Sequence, residues 1–254
     1  MSRSTHARRS FLKKASVGIL AAGWGIPSWL RPARVAADVV YVETPLQTDL
    51  SKIDFSRSDR LRIGAIGLRH QGAVLTENAL PLGDVVAMCD VDRNVAEMAR
   101  ARLGGKADLY EDYRHVLDRQ DIDAVFIAVP DHWHTAMAIA ACRAGKAVYC
   151  EKPLTLTIDE GKRLCQVVQD THAILQVGTW QRSDFRVRLA SEMVRQGRLG
   201  KLRKVTITLG KNTIGGPFPT QPLPPHLNWN LWLGQAPVAD YCPERCHNRY
   251  RFWF

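Results

Sequence analysis

The stretch Leu61-Arg62-Ile63-Gly64-Ala65-Ile66-Gly67-Leu68-Arg69-His70-Gln71-Gly72 decides how the rest of the 254-residue chain is read. Leu61–Gly67 is a nearly continuous apolar run that is short for a helix and ends in a glycine-bearing turn. Such a run reads as a strand buried on both faces, because a half-exposed strand alternates apolar and polar residues. Four more candidates follow at Asp84–Cys89, Ala124–Val129, Ala147–Cys150 and Ile174–Val177. Helix-period stretches lie among them at Val91–Leu103, Tyr113–Arg119, His134–Ala144 and Ile158–Thr171. The alternation predicts an α/β fold, a Rossmann-like doubly wound parallel sheet joined by right-handed crossovers. The punctuation agrees: Pro130 stops a strand, Asp131 offers a helix N-cap and Gly145 a C-cap.

Residues 61–178 are therefore expected as one Rossmann domain, preceded by a polar linker at 38–60. After Gly178 the texture changes. Ser183–Gln196 reads as a basic-flecked helix and Lys201–Leu209 as a single alternating strand. A stretch holding Pro217, Pro219, Pro222, Pro224 and Pro225 follows, then Trp229-Asn230-Leu231-Trp232-Leu233-Gly234. Residues 179–254 are expected as a second, unfinished α+β domain. A strand without sheet partners is marginal in water, and the aromatic ending Phe252-Trp253-Phe254 is unlike the usual polar, frayed terminus.

The net charge of +10 resembles a nucleic-acid signal until it is located. Residues 1–37 hold Arg3, Arg8, Arg9, Lys13, Lys14, Arg31 and Arg34 and no acid, which leaves +3 for the remainder. No nucleic-acid or membrane-surface binding is expected of that body. The tail itself is basic, then mostly apolar from Ala15 to Leu30, then ends in Val35-Ala36-Ala37. That is the layout of a cleavable export signal. Arg8-Arg9-Ser10-Phe11-Leu12-Lys13 resembles the twin-arginine form. The expectation is export through the twin-arginine machinery, cleavage after Ala37, a periplasmic or secreted body and no membrane association afterwards. Gly18, Gly23, Gly25 and Pro27 break the apolar stretch, which disfavours a stable spanning helix. Six cysteines at 89, 142, 150, 165, 242 and 246 permit disulfides in such a compartment, although Cys89 and Cys150 read as buried thiols at strand ends.

Three sites carry the chemistry. In the turn after the first strand, Gly67 fits the first role of a dinucleotide fingerprint and Gly72 the last, while Arg69 occupies the middle position with Leu68 beside it. A cation at Arg69 is expected on the pyrophosphate. Asp90 ends the next strand 23 residues after Gly67, where an acid accepts hydrogen bonds from the adenosine ribose and repels a 2′-phosphate. This favours NAD, with NADP the alternative because Arg93 lies nearby. Third, Cys150-Glu151-Lys152-Pro153 closes a later strand just past Pro130-Asp131-His132-Trp133-His134. Ligands bind outside the carboxyl ends of strands in such sheets, so Glu151 and Lys152 face the cofactor crevice. No metal site is expected: His132 and His134 lack further ligands at suitable spacing, and Cys242-Pro243-Glu244-Arg245-Cys246-His247 stands alone.

On these last two segments the chain resembles the glucose–fructose oxidoreductase, inositol dehydrogenase and MocA family from about Arg62 onward. The resemblance implies a Rossmann domain followed by an open-faced sheet domain, and hydride transfer between NAD and a sugar or polyol hydroxyl. It implies that Lys152 is catalytic and handles the hydroxyl proton beside the nicotinamide. Glu151 would contact the nicotinamide ribose, and Pro130 and His134 would shape the nicotinamide pocket. Gly178-Thr179-Trp180-Gln181-Arg182 also fits the family, with Gln181 and Arg182 reaching cofactor or substrate. Complete members carry an Asp-x-x-x-His-like element later in the second domain and often oligomerise through the open sheet. The chain lacks that element, so the expectation is a C-terminally truncated member. NAD-assisted glycoside hydrolysis and non-catalytic nucleotide binding stand as alternatives.

Overall fold

The computed structural model describes residues 60–209 and 218–246, so the expected export signal, its cleavage site and nearly all of the linker lie outside the described residues. The described residues divide into two compact units, 60–178 with 218–246, and 179–209.

The first unit is built on six parallel strands: β1 (Leu61–Ile66), β2 (Gly83–Cys89), β3 (Asp108–Tyr110), β4 (Ala124–Ile127), β5 (Ala147–Cys150) and β6 (Leu175–Val177). Their order across the sheet is β3-β2-β1-β4-β5-β6. All five pairings are parallel. This is the doubly wound order, with its switch point between β1 and β4. The helices of this part are α1 (His70–Ala79), α2 (Arg93–Arg102), α3 (Tyr113–Leu117), α4 (Asp131–Arg143) and α5 (Ile158–Thr171).

The continuous apolar runs are explained by burial on both faces. Ile66, Cys89, Val125 and Ile127 pack on one side with Val116, Ala138 and Leu164. The neighbouring residues Ala65 and Met88 pack on the other side with Leu68, Val95 and Ala96. Adjacent strand residues point to opposite faces, so each strand needs apolar side chains at every central position. Full burial of one such aliphatic side chain contributes about 1.5–3 kcal/mol.

The ends of α5 coincide with the predicted ones because its start is chemically marked. Thr157 Oγ1 accepts from Glu160 N–H at 3.2 Å, and Glu160 Oε2 accepts from Thr157 N–H at 3.1 Å. That reciprocal capping box contributes about 1 kcal/mol. At α4 the expectation is corrected: Pro130 occupies the cap position and Asp131 is the first helical residue. Proline's fixed φ suits the entry, and an acid in the first turn complements the helix dipole.

In the second unit, the 3₁₀ turn Trp180–Ser183 precedes α6 (Phe185–Arg195), capped by Asp184, which accepts from Arg186 N–H at 2.9 Å. The strand expected at Lys201–Leu209 is not formed. Alternation supplied one face for a sheet, but among the described residues no partner strand pairs with it, and Leu202, Val205, Ile207 and Leu209 stand exposed.

The segment 218–246, counted with the second domain from its proline-rich sequence, packs instead on the Rossmann unit. Arg93 N–H donates to His226 O at 2.9 Å and Asn228 N–H to Val91 O at 2.9 Å. A short helix, α7 (Trp229–Leu233), follows. Trp229 stacks on Trp232 at 4.7 Å, and Leu227, Trp229, Leu233, Tyr241 and Cys246 form a third apolar cluster that takes in Val91.

Candidate dinucleotide site

The turn from β1 into α1 is set by two close backbone approaches. Gly67 has φ +81°, and a Cβ there would lie 2.3 Å from Ala128 O. A Cβ on Gly72 would lie 1.9 Å from Gly67 O. The first glycine admits the left-handed turn and the second lets α1 start directly against it. Gly67 N–H donates to Cys89 O at 2.9 Å, which ties the turn to the end of β2. No side chain caps the N-terminus of α1. Gly72 N–H donates to Arg69 O at 2.7 Å within the first turn, and the positive end of the helix dipole favours an anion there.

Asp90 stands just beyond β2 with both oxygens engaged. Oδ2 accepts from Leu68 N–H at 2.9 Å and Oδ1 from Asp92 N–H at 2.9 Å. Burial raises its carboxyl above the ordinary aspartate range, against the lowering effect of those two N–H groups and Arg69. The helix that follows is capped by Asp92, not by Asp90. Asp92 Oδ1 accepts from Asn94 N–H at 3.0 Å and Val95 N–H at 3.4 Å. Arg69, expected on a pyrophosphate, is engaged elsewhere. Its Nη2 donates to Asp92 Oδ2 at 2.6 Å, because the cap carboxylate has an oxygen left over and lies next to the turn.

Across the switch point, the Glu151 side chain is buried against the backbone of Gly178. Its Oε1 accepts from Gln71 Nε2 at 3.2 Å and its Oε2 from Lys152 N–H at 3.3 Å. Gln71 therefore ties the first turn of α1 to the Glu-Lys-Pro segment. Only its place in the turn was visible in the sequence, since nothing there shows that its amide reaches Glu151. The Lys152–Pro153 bond is cis. His134 is fully buried, with Nδ1 2.6 Å from Pro153 O and Nε2 without a hydrogen-bond partner among the described residues. The Lys152 side chain is exposed. Gln181 and Arg182 lie on the exposed 3₁₀ turn of the second unit.

Cys89 and Cys150 are buried free thiols, as read from their strand ends, and burial pushes Cys150 up to about 12. Among the described residues no group of three or more His, Cys, Asp or Glu side chains is arranged to hold a metal ion.

A parallel sheet of this order, with a Gly67–Gly72 turn, a helix N-terminus that no side chain caps and an acid at the tip of β2, defines a Rossmann dinucleotide-binding domain. Residues 61–179 match the family model described as an oxidoreductase family with an NAD-binding Rossmann fold. This part of the chain is similar to the NAD-binding domain of the Gfo/Idh/MocA oxidoreductases. The chain is 36% identical to a levoglucosan dehydrogenase of Pseudarthrobacter phenanthrenivorans over 49% of its own length and 31% of the relative's. It is 28% identical to a glycosyl hydrolase family 109 protein of Saccharopolyspora erythraea, over 79% of its own length and 44% of the relative's. A scyllo-inositol dehydrogenase of Lactobacillus casei, solved with NAD(H) and scyllo-inositol bound, superposes with TM-score 0.52 at 30% identity, over 56% of this chain and 42% of that one. The chain thus spans less than half the length of each of these proteins.

Proposed function

We propose that this chain supplies the cofactor half of an oxidoreductase that moves a hydride between NAD and a sugar or polyol hydroxyl. The observation that carries the reading is the Gln71–Glu151 hydrogen bond, which joins the anion-accepting start of α1 to the Glu151-Lys152-Pro153 segment at one crevice. The residues fit the cofactor: the Gly67–Gly72 cradle and the uncapped α1 terminus suit a pyrophosphate, and Asp90 suits an adenosine ribose. When bound, the nicotinamide accepts or returns the hydride. Glu151 would hold the neighbouring ribose, Pro130 and His134 would bound the nicotinamide pocket, and Lys152 Nζ, as the neutral amine, would take the hydroxyl proton as the hydride leaves carbon. Gln181 and Arg182 contact cofactor or substrate from the following segment.

The reading extends to the complete gene product, which acts in the periplasm or outside the cell after twin-arginine export and assembles as a homo-oligomer. The likeness to a glycosyl hydrolase family 109 protein, over more of this chain than the dehydrogenase match, supports a second reading in which the hydride returns to the sugar after the glycosidic bond has broken.

The test of cofactor binding is an NADH titration of the purified chain by tryptophan fluorescence. The expectation is saturable quenching, with Asp90→Ala weakening affinity at least about tenfold, roughly 1.4 kcal/mol. Equal affinity in the variant refutes the ribose assignment. For the complete gene product, net formation of NADH on a polyol supports the dehydrogenase, whereas sugar release without it supports the hydrolase.

A further inference from the structure

Arg69 and Asp92 bear on a question the family match leaves open, the choice between NAD and its 2′-phosphorylated form. The 2′-oxygen of a bound adenosine would lie beside Asp90 at the end of β2, if the reading above holds. Arg69 is two residues past Gly67, next to Leu68, whose N–H bonds the Asp90 carboxylate. A guanidinium at that place is well suited to a phosphate dianion. Its charge, however, is already committed. Arg69 Nη2 lies 2.6 Å from Asp92 Oδ2, and the Asp92 side chain is only 3% exposed against 38% for Arg69. Asp92 cannot easily turn away, because its Oδ1 caps α2 and its backbone is clamped by the 226–228 segment through the Asp92–Leu227 bridge and the Arg93–His226 hydrogen bond. His226 Nε2 stands 3.9 Å from the same Oδ1.

We propose that the Arg69–Asp92 ion pair is a specificity lock: Asp92 silences a latent 2′-phosphate site at Arg69, and the 226–228 segment holds Asp92 in place to do so. Asp90 alone repels a phosphate; Asp92 in addition removes the one cation of the β1–α1 turn able to receive it. The acidic turn is thus selective through two carboxylates with different tasks. Asp90 sits beside the ribose, and Asp92 is a positioning residue that acts on Arg69.

The inference rests on dinucleotide binding at this crevice, and the experiment separates the two. NADH and NADPH are titrated by fluorescence against the wild type, Asp92→Asn, Arg69→Ala and the double variant. Asparagine caps a helix as well as aspartate does, so Asp92→Asn keeps α2 intact while releasing Arg69. The expected result is a shift of the NADPH-to-NADH affinity ratio of about tenfold or more toward NADPH in Asp92→Asn. The shift disappears in the double variant, and Arg69→Ala alone leaves the wild-type ratio unchanged. A ratio unmoved in Asp92→Asn with NADH binding retained overturns the lock. So does a shift that survives removal of Arg69, which would place the phosphate on another cation such as Arg93. If Asp92→Asn fails to fold, Arg69→Ala still decides: a loss of NADPH affinity relative to NADH shows that Arg69 already reads the phosphate and contradicts the proposal. Failure of the wild type to bind either dinucleotide refutes the cofactor reading itself.

Discussion

Replacing Gly72 by alanine puts the turn geometry to its hardest test. The added Cβ falls 1.9 Å from Gly67 O, 2.8 Å from Gly67 C and 3.4 Å from the Ala128 Cβ. Tolerable contact begins near 3.0 Å, so the helix start or the turn must move by about 1.1 Å. The nearest atoms are backbone, not the tip of a flexible side chain, so the strain has no cheap outlet. Overpacking of this kind costs about 1–3 kcal/mol, and the upper half of that range is expected here. In a chain of this size that lowers Tm by roughly 5–10 °C. The same movement draws the α1 N–H groups from the pyrophosphate position, so NADH affinity should fall by at least about tenfold. Gly105→Ala is the control for an added methyl without close approach. Unlike Gly72, Gly105 has positive φ (+77°), and on its open loop an added Cβ would meet no atom within 4 Å. It should cost about 1 kcal/mol of stability through backbone strain and leave NADH affinity unchanged. Thermal melts and NADH titrations of both variants read these quantities. A Gly72→Ala protein with wild-type Tm and affinity would refute the close-approach argument.

Further outcomes follow from the same geometry. His132 is buried, with Nε2 2.9 Å from Trp232 O, and burial lowers its pKa below the ordinary histidine value. Its neutral form is favoured by folding, so the stability it contributes is present above about pH 6.5 and is lost as pH falls through the lower folded value. Denaturant melts at pH 7.5 and 5.5 should differ less in His132→Gln than in the wild type, and an equal difference would contradict this. Gln71→Ala leaves Glu151 Oε1 without its side-chain donor, which should cost about 1–3 kcal/mol in denaturant unfolding, while an unchanged midpoint would show the bond to be idle. Lys152→Ala in the complete gene product should keep NADH affinity within about twofold, since the side chain is exposed and outside the cradle, yet lose polyol oxidation by about a hundredfold or more. Turnover near the wild-type rate would remove Lys152 from the proton step. Changing Arg8 and Arg9 together to lysine should retain the protein inside the cell, and normal export would rule out the twin-arginine route.

The sheet is legible in the sequence wherever both faces of a strand are buried, because continuous apolar runs leave a strong signal. The edge strand β3 leaves none: three residues, Asp108–Tyr110, are too few to show a pattern. The helix after the fingerprint is implied by the turn, but its bounds are hidden by Gly72 and by its mixed polarity. The Gly67, Gly72 and Asp90 positions can be read because each fills a backbone or strand-end role with a fixed spacing. The pairing of Arg69 cannot, since its partner Asp92 is 23 residues away and shares no motif with it. The placement of 218–246 is hidden for a similar reason. Its backbone hydrogen bonds to Val91 and Arg93 and its Trp229–Trp232 cluster are contacts between segments with no common period.

Amide hydrogen exchange of the purified chain, with and without saturating NADH, tests most directly the claim that a dinucleotide lies in the crevice at the ends of β1 and β2. Slowed exchange is expected at Gly67–Gln71 and Asp90–Asp92, with the open loop at Gly104–Gly105 unchanged. Saturable NADH binding that protects other segments and leaves Gly67–Gln71 untouched would contradict it.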